Sequence, residues 1–151
     1  MTQVAFHIGI DDRLDYACRL IRKALATSAR VLVLADEDLI TPLDQALWTH
    51  EPSSFVSHAM AGTPGIKASD CQVVLAYEVD SAQGPWPVLI NLRRDLPEVP
   101  PDCEKLIELV SGNEEELALA RQRWKTYTQR GFSLTNHDLR KRAQGSPANS
   151  G

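Results

Sequence analysis

Residues 3–35, QVAFHIGIDDRLDYACRLIRKALATSARVLVLA, decide the fold. Residues 3–9 read as a short strand. Asp11 or Asp12 caps a helix after it, because a carboxylate accepts from the free N–H groups of a first helical turn. Leu14, Ala17, Cys18, Ile21, Ala24 and Leu25 recur at helical spacing, so residues 13–27 predict an amphipathic helix. Residues 30–35, RVLVLA, are apolar on both faces, as in a buried parallel strand. Strand, helix and buried strand make a βαβ unit with a right-handed crossover.

The same alternation continues outward. Thr41 is placed to cap a second helix, with Pro42 at its first position, where a missing N–H costs nothing. Leu43, Ala46 and Leu47 form its apolar side, and Pro52 stops it. Phe55 and Val56 start a short strand, and residues 61–70, with Gly62, Pro64 and Gly65, form a loop. Residues 72–77 and 87–92 predict two strands separated by a turn, DSAQGPWP. Pro97, Pro100 and Pro101 exclude a regular helix or central strand from residues 93–101. Residues 102–105 add a helical turn, and LIELV at 106–110 is a last strand. Little helix separates the strands between residues 54 and 91. The expectation is therefore an α/β, Rossmann-like three-layer sandwich, its sheet mostly parallel with an antiparallel edge.

Residues 113–132, NEEELALARQRWKTYTQRGF, carry the clearest helix. Asn113 caps it, Glu116 completes a capping box, and Gly131 ends it. Residues 1–134 form one domain on this reading. Residues 135–151 form a polar tail, largely disordered.

The chain has 151 residues, 43% hydrophobic and 24% charged, which suits one domain with a substantial core. No stretch reaches the length of a membrane span, and the N-terminus lacks the features of a secretory signal. A cytoplasmic protein is expected. Cys18, Cys71 and Cys103 are odd in number and widely spaced, which suggests reduced thiols and no metal pair. The net charge is −4, yet residues 121–142 carry seven Lys or Arg against Asp138 alone. Positive charge gathered at one end attracts an anionic partner even on an acidic protein.

Motifs for chemistry are sparse. The first βα turn, HIGIDDR, has one glycine and acids where a phosphate would approach, so the dinucleotide fingerprint is absent. No metal-spaced histidine pair and no nucleophile elbow occurs. Asp36, Glu37 and Asp38, at the end of a buried strand, are the best enzymatic candidates, weighed against a solvated loop that caps the next helix. No catalytic residue and no cofactor is assigned.

Two surfaces suit partners better. Arg121, Trp124 and Lys125 stand at i, i+3 and i+4, so they share one helix face with Leu117. Two cations around an indole fit a ligand that offers carboxylates and an apolar group, with Val110 as an apolar floor. The competing reading makes Trp124, with Leu117, Ala120 and Tyr127, the buried stripe. Trp48 and Phe55, near a helix end and a loop, mark the second surface or further core.

RVLVLADED at 30–38, LDQALWTHEPSSFVSH at 43–58, VLINL at 88–92 and ARQRWKTYTQRGFSL at 120–134 together resemble the chi subunit of bacterial DNA polymerase III. The resemblance implies a non-catalytic member of the clamp-loader assembly in DNA replication, Rossmann-like but without a nucleotide site. It implies two partners: the small psi subunit, and the acidic, apolar-ended C-terminal tail of single-stranded DNA-binding protein. By motif, Arg121 would hold the tail's carboxylates, Trp124 and Lys125 would stand beside it, and Val110 would line the pocket. Trp48 and Phe55 would meet psi, or in competition a helicase of the XPD type. The sequence departs from the family at Trp124, often tyrosine, and at Leu117, where some members have lysine. The alternative is direct binding of single-stranded nucleic acid, with Trp124 and Tyr127 stacking on bases.

Overall fold

The computed structural model describes residues 2–27, 30–49, 58–60, 72–78, 85–100 and 102–139. Strand β1 (Gln3–Ile10) sets the pattern of the core. Val4 and Phe6 enter one apolar cluster and Ile10 enters the other. Strict alternation would put Ile10 on the Phe6 face. A bulge between His7 and Ile10 changes the phase, with three steps of β1 against two of its neighbour. Gly9 sits in that bulge at φ 77°, a backbone conformation open to a residue without Cβ.

Helix α1 (Arg13–Leu25) starts as the sequence predicts, with Asp12 Oδ1 accepting from the Asp15 N–H at 3.1 Å. It buries Ala17, Cys18 and Ile21. Strand β2 (Val31–Leu34) is buried on both faces. Helix α2 (Glu37–Thr49) begins a turn earlier than expected: Thr41 is not its cap, and Pro42 lies inside it. The Asp36 carbonyl starts the helix by accepting from Leu39 and Ile40. Pro42 has no N–H to give the Asp38 carbonyl, and Asp38 is exposed in the first turn of the helix.

Strands β3 (His58–Met60), β4 (Val73–Ala76), β5 (Val88–Asn91), β6 (Lys105–Ser111) and β7 (Ser133–Asp138) complete a seven-stranded sheet in the order β3-β4-β2-β5-β6-β1-β7. Every pairing is parallel, so the expected antiparallel edge is absent among the described residues. The links between β3 and β4, β4 and β5, and β5 and β6 each span roughly a dozen residues. That is enough chain to return to the same end of the sheet. Residues 102–105 form no helical turn beyond Asp102, since Lys105 already belongs to β6. The loop 61–70 and the strand start at Phe55 fall outside the described residues.

Helices α1 and α2 cover one face, over Val31, Val33, Leu75, Ile90 and Leu109. Helix α3 (Glu114–Gln129) covers the other, over Leu32, Leu89, Leu106 and Val110. Leu96, Val99 and Cys103 extend that second layer without helix. Trp86, in the stretch read as a turn, is 1% exposed and joins this core, with the Arg30 guanidinium 4.2 Å above its ring. Regular structure also runs past Leu134, where the sequence placed the end of the domain. β7 lies at the sheet edge and needs only one half-buried side, which Leu134 supplies, so its polar residues hide it.

The end of α3 is built as expected. Gly131 takes φ 83°. Its N–H donates to the Thr128 carbonyl and the Phe132 N–H to the Tyr127 carbonyl, a complete Schellman motif. The Phe132 ring packs on Tyr127 at 5.8 Å, the usual apolar clasp of this motif. A Cβ at Gly131 would meet nothing within 4 Å, so only backbone strain opposes alanine. Gly131→Ala should lower unfolding free energy by about 1 kcal/mol, read as a shift of the urea midpoint.

Candidate functional site

The site begins with what fixes α3 on the sheet. Asn113 Oδ1 accepts from the N–H groups of Glu115 and Glu116, at 2.8 and 3.2 Å. The capping box does not close. The Asn113 N–H donates to Ser111 Oγ, and the Glu116 carboxylate turns to Arg94 Nε at 2.6 Å, with Arg13 at 3.9 Å. Glu116 is 8% exposed, and cations from two neighbouring segments offer its carboxylate more than one N–H would.

Beneath the helix lies a polar cluster that sequence reasoning missed. Glu108 on β6 is fully buried. Its Oε1 accepts from Asn91 Nδ2 at 2.8 Å and Arg123 Nε at 3.2 Å, and its Oε2 accepts from the Tyr127 hydroxyl at 2.6 Å. Arg123 also donates to the Arg94 carbonyl at 2.5 Å. Burial pushes the Glu108 carboxyl up from its ordinary range. The Arg123 guanidinium opposes this, as do hydrogen bonds from Tyr127, Asn91 and Arg123. Burial and the Glu108 carboxylate raise Tyr127 well above an ordinary phenol. The sequence carried a weak signal: a glutamate inside the apolar run LIELV, with an arginine and a tyrosine four residues apart on the next helix.

Fixed in this way, α3 presents its face over β1 and β7. A groove of about 350 Å³ opens there, lined by Phe6, Ile8, Leu117, Ala120, Arg121, Trp124, Asn136 and Asp138. Trp124 is half-buried, its ring 5.2 Å from Phe6. Arg121 and Lys125 are exposed, and neither has an ion pair among the described residues. Both readings of the stripe therefore hold in part. Leu117, Ala120 and Tyr127 are buried, while Arg121 and Trp124 face the groove. Lys125 stands one position from Trp124 outside the lining. Val110 does not form the floor: it is 1% exposed within the core. Phe6 and Ile8 of β1 take that place, and Asn136 and Asp138 of β7 make the far wall. Neither contribution was legible from α3 alone.

The other candidates separate. Trp48 lies in α2, and its side chain, like all of Phe55, falls outside the described residues. The basic run at 140–142 does as well. Asp36 stands just past β2 at the carboxyl edge of the sheet, where its Oδ1 is 3.6 Å from Arg93 Nε. Arg93 also holds Asp95 at 3.0 Å and stacks on Tyr77 at 4.0 Å. Chains leaving β2 and β5 go to opposite faces here, so this is a crevice in which open α/β sheets bind ligands. In this protein the Asp36–Arg93 pair occupies it. Glu37 and Asp38 are exposed in the first turn of α2, where they favour the helix dipole. Burial pushes the thiols of Cys18 and Cys103 up to about 11, so both are protonated at neutral pH. Among the described residues no helix is long and apolar enough to cross a membrane.

Fold and groove define a Rossmann-like α/β protein whose candidate site lies between a helix and the sheet edge, away from the crevice at Asp36 and Arg93. Residues 1–135 match the family described as DNA polymerase III chi subunit, HolC. The chain belongs to that family. It is 30% identical over 145 residues to DNA polymerase III subunit chi of Pseudomonas aeruginosa, covering 92% of this chain and 98% of the relative. It is 28% identical over 118 residues to DNA polymerase III subunit chi of Escherichia coli, covering 78% and 79%. A third relative of the same description, from Haemophilus influenzae, is 21% identical over 126 residues, covering 83% and 86%. Membership supports an accessory role in DNA replication.

Proposed function

We propose that this protein is a non-catalytic adaptor of the DNA polymerase III clamp-loader assembly. In this reading the α3 groove takes the acidic C-terminal tail of single-stranded DNA-binding protein. A psi-type subunit, or in competition an XPD-type helicase, binds at Trp48 and Phe55. The observation that carries the first partner is the groove: an apolar floor of Phe6, Ile8 and Leu117 beneath a rim with exposed Arg121. An acidic peptide with an apolar end fits that combination, because the floor accepts the end group and the guanidinium grips a carboxylate.

Calorimetric titration with a short acidic peptide ending in a free, carboxylate-bearing aromatic residue tests the reading. One site is expected. Affinity should fall as salt rises from about 0.05 to about 0.5 M, since exposed charges are screened, and should fall further when the terminal aromatic is removed. Binding indifferent to both changes would overturn the assignment. For the second surface, a psi-type subunit should cease to co-purify with a Trp48→Ala, Phe55→Ala variant that still folds.

Direct binding of single-stranded nucleic acid has less support. Tyr127 is fully buried and bonded to Glu108, so it offers no face for a base. Bare oligonucleotide should show no mobility shift under conditions in which the peptide binds.

A further inference from the structure

Strand β7 sets two polar side chains on the far wall of the α3 groove. Asn136 pairs in register with Phe6, and Asp138 with Ile8. Register partners on neighbouring strands point to the same face, so both polar side chains stand beside the apolar floor. Asn136 is exposed, and its carboxamide has no hydrogen-bond partner among the described residues. The groove therefore carries a cation on its helix wall, at Arg121, and an uncommitted neutral donor on its strand wall.

Resting on the reading of this groove as a site for an acidic peptide with an apolar end, we propose that Asn136 is a second anchor, which reads the ligand's free terminal carboxylate. The last residue of such a ligand carries its apolar side chain and its terminal carboxylate on one Cα. Adjacent strands lie about 4.8 Å apart. A side chain seated on Phe6 therefore brings that carboxylate within reach of Phe6's register partner. Of the two polar side chains on this wall, only Asn136 can donate to it, because the Asp138 carboxylate accepts and carries like charge. The rings of Phe6 and Trp124, 5.2 Å apart, border the contact and thin the water that competes for it. That strengthens a hydrogen bond to an anion. The groove in this way selects the true end of an acidic chain over an acidic stretch within one.

Calorimetric titration of the full chain with two acidic peptides, identical except that one ends in a free carboxylate and the other in a carboxamide, tests this. Asn136→Ala should bind the free-ended peptide about threefold to tenfold more weakly than the parent chain does, and the amidated peptide within about twofold of it. Asn136→Asp should invert the preference. Its carboxylate repels the free end, for a loss beyond about tenfold, yet accepts from the terminal amide. Thr135→Ala, one step along β7 and on its other face, should match the parent chain with both peptides. Asn136 is exposed, so the urea midpoint of each variant should stay at the parent's value. No loss in Asn136→Ala, or an equal loss with both peptides, defeats the assignment of Asn136 and leaves the groove to be judged by Arg121→Ala. A parent chain that binds neither peptide removes the acidic-peptide reading itself, and Asn136 with it.

Discussion

Replacing Glu108 with alanine is expected to destabilise the fold by about 3–5 kcal/mol. The carboxylate is fully buried and serves three partners at once. Without it, Arg123, itself 5% exposed, keeps only its bond to the Arg94 carbonyl, and the Tyr127 hydroxyl loses its acceptor. A buried cation without its counter-charge is far costlier than a lost contact. For a chain of this size the thermal midpoint should drop by roughly 10–15 °C. Glu108→Gln keeps the shape and part of the hydrogen bonding, so its loss should be smaller, about 1–3 kcal/mol. A Glu108→Leu, Arg123→Met double variant should be more stable than Glu108→Ala, because it removes the stranded charge with its partner. Urea unfolding followed by tryptophan fluorescence distinguishes these cases. A Glu108→Ala loss below about 1 kcal/mol would mean that water reaches the Arg123 guanidinium.

Arg121→Ala should weaken binding of the acidic peptide by about 10–100-fold and leave stability unchanged. Charge-assisted hydrogen bonds to a carboxylate are worth roughly 1.5–3 kcal/mol, and each 1.4 kcal/mol is about tenfold. The side chain is exposed at the groove rim, so its removal opens no cavity. Arg121→Lys should recover part of the affinity, because an ammonium keeps the charge but loses the planar fork. Trp124→Ala is a different experiment. The indole packs on Phe6 as well as facing the groove, so stability and affinity should fall together. Equal affinity in Arg121→Ala and the parent chain would place the peptide elsewhere.

These two results bear on each other. The Glu108 cluster is the physical link between β6 and α3, and α3 carries Arg121 and Trp124. A variant that loosens this link without unfolding the chain should weaken peptide binding through groove geometry, although Glu108 is absent from the groove lining.

Local chemistry was legible in the sequence. Asp12 and Asn113 cap their helices and Gly131 ends the second, because short polar side chains and a missing Cβ act within a turn of where they stand. The buried strand at 31–34 and the α/β class come from continuous apolar runs separated by helical periods. The split of the α3 face into buried and outward residues could be posed from spacing but not resolved, since Trp124 fits both roles.

What only the tertiary structure decided lies between segments distant in sequence. Every strand pair among the described residues is parallel, which local propensity cannot reveal. Glu116 left its capping box because Arg94 and Arg13 arrived from other segments. Val110 moved from groove floor to core because Phe6 and Ile8 of β1 lie where it was expected. β7 is polar enough to read as tail and becomes a strand through its register with β1. The sequence by itself determined the α/β class, most of the helices and buried strands, and which side chains carry charge. The sheet decided which of them meet, because pairing β1 with β7 sets Phe6 and Ile8 beside Asn136 and Asp138 beneath α3.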